Sequence, residues 1–172
     1  EVRRGAAREA EGGRRASGQE MNHWLLKTEP SSFSFDDLAK APRKTTGWGG
    51  VRNYQARNTL RDEMKKGDLV LVYHSNADPS AVIGTAEVVR EGYPDPSQFD
   101  KKDDHYDPDS PVGAPRWFQV DVKALQKLAR PVSLEEIKNT KALQGMLLVQ
   151  RSRLSVQKVS KTDFDAILRL AK

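Results

Sequence analysis

From residue 21 onward the hydrophobic positions fall in short runs separated by Gly, Pro and small polar residues, and the period of each run predicts its element. His23-Trp24-Leu25-Leu26-Lys27 reads as a strand stopped by Pro30, and residues 68–74 hold the unbroken run Leu69-Val70-Leu71-Val72-Tyr73 of a buried strand. Another strand covers 81–90, where Gly84 marks a bulge or a close backbone approach. Over 117–125, Phe118, Val120 and Val122 alternate with Gln119, Asp121 and Lys123, the period of a half-buried strand, and a last strand covers 154–159. The helices announce themselves by their caps. Ser34 and Asp37 form a capping box that opens a short helix ending at Lys40, and Ser133-Leu134-Glu135-Glu136 opens another. Asn53 caps a helix running to about Lys65, with Ala56, Leu60 and Met64 on one side and Gly67 ending it. A closing amphipathic helix over 163–170 carries Phe164, Ile167 and Leu168. Residues 42–50 read as loop, and residues 91–115 as a long loop with five prolines, a length that points to function or disorder. Five to six strands with helices inserted irregularly predict an α+β fold, its mixed strands curled into a small open barrel.

Composition changes this picture at one end only. Residues 1–20 are rich in Arg, Glu, Gly and Ala, with Val2 their one large aliphatic, so they read as a disordered extension, native or not, ahead of a single domain over 21–172. No apolar run approaches the ~18 residues of a membrane span. The formal net charge is +5, a mild bias toward polyanions that is weaker than a dedicated duplex binder needs. Zero cysteine excludes disulfides, thiol nucleophiles and thiolate metal sites.

The chemistry concentrates in Trp48-Gly49-Gly50-Val51-Arg52-Asn53-Tyr54-Gln55-Ala56-Arg57-Asn58. A Gly turn ahead of an Asn-capped helix needs neither the aromatics nor the guanidinium groups. A site that stacks a flat, polar, partly anionic ligand uses all of them: a face, a backbone the ligand can approach, and fixed donors. With the neighbouring blocks in place the chain resembles the EVE domain family. The resemblance runs over about 22–171 and rests on ordered blocks: His23-Trp24-Leu25-Leu26-Lys27-Thr28-Glu29-Pro30, the Trp48 to Asn58 block, Tyr73-His74-Ser75-Asn76, Tyr93-Pro94-Asp95, His105-Tyr106-Asp107-Pro108, Trp117 with Val120-Asp121-Val122, and Arg153-Leu154-Ser155-Val156. Thr28 stands where the family usually has Ser, which keeps the hydroxyl. The resemblance implies a PUA-like fold related to YTH and ASCH modules. It also implies a pocket for a nucleobase, with modified cytosine in DNA or modified RNA bases as ligands, and no assured catalysis.

Under that reading Trp48, Tyr54, Tyr73, Tyr106 and Trp117 are the candidate stacking surfaces, because a base gains about 1–3 kcal/mol from an aromatic face. Trp24 sits among aliphatics and reads as packing. Trp48 between its glycines is the better platform, and Trp117 points either to a pocket or to a flanking helix. Thr28, Glu29, Asn53, His74, Ser75 and Asn76 are candidate base-edge partners, although Asn53 equally serves as a helix cap and Ser75-Asn76 as turn chemistry. Lys27, Arg52, Arg57 and Arg151 are candidate backbone or phosphate contacts. His105, inside the proline-rich loop, is a candidate lid. His23, His74 and His105 lack metal-ligand spacing, and no cofactor motif occurs.

Two other classes compete. Glu63-Met64-Lys65 matches half of a metal-dependent nuclease motif without a partner Asp on a strand, and a His-based RNA cleavage lacks a second titratable group. A pure protein-interaction module leaves the polar aromatic cluster unexplained. The sequence therefore predicts a monomeric, non-catalytic binder of DNA or RNA carrying a modified base, of the methylated or hydroxymethylated cytosine type. It would be cytoplasmic in a bacterium and nuclear in a eukaryote.

Overall fold

The computed structural model describes residues 21–150 and 153–172. Six strands form one mixed sheet: β1 (His23–Thr28), β2 (Thr45–Trp48), β3 (Leu69–His74), β4 (Ala81–Pro94), β5 (Phe118–Ser133) and β6 (Val156–Val159), in the order β2-β5-β4-β3-β1-β6. Only β1 and β3 run parallel, with Leu25 opposite Leu71; every other pair is antiparallel. Among the described residues five α-helices accompany them: α1 (Phe35–Lys40), α2 (Tyr54–Asn58), α3 (Leu134–Lys138), α4 (Leu147–Gln150) and α5 (Lys161–Leu170). This is the expected α+β class with an open sheet.

Both faces of the central strands are covered, which is why β1 and β3 read as unbroken apolar runs. Trp24, Leu26, Val70, Val72, Val88, Val120 and Val122 pack on one face against Phe35, Leu38, Leu60 and Met64. Leu25, Leu71, Val82 and Val132 pack on the other against Ile137, Leu143, Phe164 and Ile167. Trp24 is buried as packing, and its indole N–H donates to Asp68 Oδ2 at 2.8 Å, which gives that buried ring a polar anchor. The two edge strands both reach the first cluster, through Trp48 of β2 and Val156 of β6, so the sheet wraps around that core without closing.

The N-caps form where the sequence predicts them, but the second capping box is only half made, because the Glu136 carboxylate pairs with Arg130 and does not return to Ser133 N. Ser34 and Asp37 exchange hydrogen bonds at the start of α1, Asn53 accepts from Ala56 N at α2, and Ser133 accepts from Glu136 N at α3. Several boundaries differ. Thr45–Trp48, inside the segment read as loop, is an edge strand pairing with β5 alone. β4 continues to Pro94, so the proline-rich segment between strands runs over 95–117 and not 91–115, and β5 continues beyond residue 125 to Ser133; Pro94 ends its strand, where a missing N–H is tolerated. The Asn53 helix is α-helical only to Asn58 and then widens into a π-turn over Thr59–Glu63, with Met64 N bonded to Thr59 O at 3.1 Å. The reading of residues 1–20 as a disordered extension lies outside the described residues, as does candidate Arg151. No helix among the described residues is long and apolar enough to cross a membrane.

Candidate nucleobase pocket

A cavity of about 410 Å³ opens where the sheet fails to close. The end of β1 contributes Lys27 and Thr28, continuing into Glu29, Ser32 and Phe33. Edge strand β2 contributes Thr46, Gly47 and Trp48, followed by Gly49 to Arg52, while Ser155 ahead of β6 and His105 complete the wall. Lys27 N bonds Ser155 O at 3.0 Å, which ties β1 to the chain entering β6 at the cavity edge.

Trp48 is 8% exposed and belongs to the core cluster while also lining the cavity; Phe33 meets its ring edge-on with centroids 6.1 Å apart. The aromatic wall is therefore rigid, one side of the indole being held by the core. Thr28 donates from Oγ1 to Phe33 O at 2.5 Å, which fixes the turn that presents Glu29. Asn76, held at φ +49°, donates from Nδ2 to Glu29 Oε1 at 2.7 Å and so aims that carboxylate instead of lining the cavity. Lys27 brings an ammonium whose pKa burial pushes below the usual lysine value. It stands 5.9 Å from the centroid of the Tyr73 ring.

The floor beneath Trp48-Gly49-Gly50 is a polar network that the sequence reading missed. Asp95 is 1% exposed and accepts from Gly50 N at 2.7 Å, from Arg52 Nη1 at 3.0 Å, and from Ser97 N and Oγ at 2.9 and 2.7 Å. Burial raises its pKa, but these donors outweigh burial and leave the carboxyl below the ordinary carboxylate value. Arg52 also donates to His105 O from Nη2 at 2.7 Å and Nε at 3.2 Å, to Ser97 Oγ at 3.0 Å and to Val51 O at 3.1 Å. Its guanidinium is engaged by protein on every nitrogen. Read from sequence as a phosphate contact, it clasps the His105 loop to the Trp48 loop.

The glycines serve that floor. A Cβ on Gly49 would stand 2.4 Å from Gln119 Oε1 and 2.9 Å from Asp95 Oδ2, so its bareness admits the support beneath it, where the sequence reading had it admit a ligand. Gly50 lies at φ +77°, with the His105 imidazole 2.9 Å from where a Cβ would be. His105 thus covers the glycine turn and lines the cavity, while its Nδ1 lies 3.1 Å from Asp103 Oδ1.

Trp48, Thr28, Glu29, Lys27, Arg52 and His105 thus come together at the cavity, and among the described residues the other candidates do not line it. Tyr73 is buried in the core of the opposite face. His74 Nε2 accepts from Phe35 N at 3.0 Å, and burial lowers its pKa, which keeps the ring a neutral acceptor at the start of α1. Asn53 is occupied as the α2 cap, and Ser75 N bonds Thr28 O at 2.9 Å. Trp117 turns to the flanking helix: its ring stacks on Tyr54 of α2, and its indole N–H donates to Asp107 Oδ2 at 2.7 Å. Arg57 lies over Tyr54, and Tyr106 sits half-buried in the 100–117 loop outside the cavity wall. Asp95 was written in the sequence as Tyr93-Pro94-Asp95; its role stayed hidden because the partners it ties to the site, Gly50 and Arg52, lie more than 40 residues upstream.

Residues 22–170 match the model of the EVE domain. The chain belongs to the EVE domain family. A relative in chicken, thymocyte nuclear protein 1, is 42% identical over 181 residues, covering 95% of this chain and 74% of its own. The crystal structure of the human THYN1 protein in complex with DNA containing 5-methylcytosine is similar to this EVE domain with a TM-score of 0.83 and 41% identity, covering 88% of this chain and 98% of that one. A YTH domain of Zygosaccharomyces rouxii MRB1, 14% identical with a TM-score of 0.50 and coverage of 90% and 88%, shares the fold, which is the PUA-like relationship expected of this EVE domain.

Proposed function

We propose that this EVE domain is a non-catalytic nucleic-acid reader that takes a modified base, of the methylated cytosine type, into the cavity beside Trp48. The observation that carries the reading is the rigid indole at the wall of a 410 Å³ cavity, within the size range of small-ligand sites and flanked by Lys27, Thr28 and Glu29. The 5-methylcytosine DNA held by the human THYN1 protein, at 41% identity, supports the ligand class. A base entering this cavity stacks on Trp48 and meets a cation, a hydroxyl-braced turn and an oriented carboxylate at its edge. Glu29 is the acceptor for an exocyclic amino group, and Asn76 and Thr28 are its positioning residues. The relatives carry a nuclear name, which supports a nuclear site of action.

The non-catalytic part of the reading is supported by the placement of the competing motif. Glu63 accepts from Thr59 Oγ1 at 3.2 Å on the π-turn, and Lys65 lies 3.8 Å from Glu91; neither lines the cavity.

Trp48→Phe tests the platform, because Phe keeps core contact where Ala would open a void costing about 3–5 kcal/mol of stability. Titrations with matched duplex and single-stranded DNA and RNA oligonucleotides, each with cytosine or 5-methylcytosine, should show weaker binding and reduced preference for the modified strand at nearly unchanged melting temperature. Unchanged preference in Trp48→Phe and in Glu29→Gln removes the base from this cavity. Prolonged incubation of the same oligonucleotides with divalent metal should return them intact, and turnover lost in Glu63→Ala with binding retained would establish the nuclease reading instead.

A further inference from the structure

Beside the cavity four side chains from two segments, 52–57 and Trp117, touch in a row: Arg57, Tyr54, Trp117 and Arg52. The Tyr54 and Trp117 rings lie 5.0 Å apart at 25°, the Arg57 guanidinium carbon is 4.9 Å from the Tyr54 centroid, and that of Arg52 is 5.3 Å from the Trp117 centroid. One end of the row is the cavity wall, through Arg52. The other end is the half-buried Arg57 against Tyr54, and it remains accessible, because Tyr54 is 52% exposed although its ring is one of the few large aromatics of the chain.

The base of the row is fixed. Trp117 is 6% exposed, its indole N–H is held by Asp107, its amide donates to Gln98 Oε1 at 3.1 Å, and its carbonyl accepts from Gln98 Nε2 at 2.9 Å. Tyr54 is therefore a platform on a rigid support and not a loose surface ring. Arg57 is aimed by two neutral acceptors, donating from Nη1 to Arg116 O at 2.6 Å and from Nε to Asn58 Oδ1 at 2.8 Å. Among the described residues it makes no ion pair, unlike Arg52 and Arg61, which face Asp95 and Asp62. A half-exposed aromatic ring on a fixed indole, a guanidinium without a contacting carboxylate beside it, and continuity with a base-sized cavity together match one ligand chemistry: a base with its phosphate.

We propose that Tyr54 and Arg57 form a second nucleic-acid contact, outside the pocket, that holds the nucleotide flanking the base in the cavity, the phenol ring stacking its base and the guanidinium meeting its phosphate. This rests on the nucleobase reading of the cavity. The row supplies affinity without sequence or modification preference, since every base has a face to stack and every nucleotide a phosphate. The cavity supplies the preference.

The experiment compares Tyr54→Leu, Tyr54→Ala and Arg57→Ala with the unsubstituted chain against three probes: a 12-mer DNA with one central 5-methylcytosine, its unmodified counterpart, and 5-methyl-2′-deoxycytidine monophosphate. Leu keeps Trp117 covered, so it holds the fold if Ala does not, and melting curves check each protein. Tyr54→Leu should weaken both 12-mers about 5- to 100-fold, the range of a lost base stack. The ratio between the two 12-mers and the affinity for the mononucleotide should stay unchanged. Less than twofold weakening of the 12-mers in a folded Tyr54→Leu overturns the proposal. So does an equal loss for mononucleotide and 12-mer, which would put Tyr54 inside the pocket. Trp48→Phe, measured alongside, reports on the cavity separately. If the methyl preference survives in Trp48→Phe while Tyr54→Leu weakens the 12-mers, the pocket reading fails and the outer contact stands. No binding of any probe by the unsubstituted chain overturns both.

Discussion

At the scale of single residues, the pocket depends on a side chain that never reaches it. Asp95 is buried under the Gly50 turn, and its two oxygens gather Gly50, Arg52 and Ser97 while Arg52 gathers the His105 loop. Asp95→Asn keeps the shape but removes the charge and leaves the Arg52 cation, itself partly exposed, without its counter-ion. The expected cost is about 1–3 kcal/mol of stability, the worth of a charged hydrogen-bond partner discounted for solvent reaching Arg52. The acid limb should change with it. Because the folded carboxyl titrates below its unfolded value of about 3.9, its contribution is complete above about pH 4 and is lost as the pH falls through the lower folded value. Urea midpoints at pH 7 and pH 3 should therefore differ less for Asp95→Asn than for the unsubstituted chain, whose other depressed carboxyls, such as Asp107 and Glu136, are common to both proteins. Equal pH dependence would mean that Asp95 is not the buried anion of this floor.

Among the elements, the long β4–β5 ribbon shows both what the hydrophobic pattern reveals and where it goes silent. Gly84 was legible as a bulge or a close approach, and the structure makes it both. The register of β4 against β5 slips between Val82 and Gly84, and the Phe35 ring of α1 lies 2.5 Å from where a Gly84 Cβ would stand. Gly84→Ala should cost about 1–3 kcal/mol by overpacking. Pairing it with Phe35→Leu should recover part of that loss, so a double-mutant cycle by chemical denaturation reads the contact directly. Strict additivity would mean that the ring and the added methyl never meet. The same ribbon hid its ends. Residues 125–131 of β5 are mostly exposed, and their apolar members Leu125, Leu128, Ala129 and Pro131 keep no period of two, so no alternation marks them, although Gln126 and Lys127 pair with Thr85 and Gly84. Thr45–Trp48 was silent for a related reason: an edge strand with one neighbour and a glycine at its third position presents no apolar row to read.

At the scale of the whole molecule, the sequence made legible the parts of the site that need unusual residue types, and hid the parts that depend on chain crossings. Trp48, Thr28-Glu29 and His105 stood out and meet at one cavity. Asp95, Ser97, Gln98 and Gln119 are ordinary residues whose importance comes from which segment lies above them. Charge belongs to this scale as well. The net charge of +5 is small, and two of the arginines face carboxylates: Arg52 faces Asp95 and Arg61 faces Asp62. Lys27 at the cavity wall, Arg57 against Tyr54, and Arg116, whose carbonyl holds Arg57, are the basic residues beside the cavity and the Tyr54 row. A reader with roughly two to four phosphate contacts should show log affinity for duplex DNA falling with log salt at a slope of about −2 to −4, since each neutralised phosphate contributes about −0.9. Arg57→Ala should flatten that slope by roughly one without altering the preference for the modified base. Both follow from titrations at four salt concentrations with the modified and unmodified 12-mers. A slope near zero would mean that the phosphates are not engaged, and that the chain takes its base from a nucleoside or a loop end. A slope steeper than about −7 would require a phosphate-binding surface far larger than these three cations supply, and the strand would then have to run over a different face of the sheet.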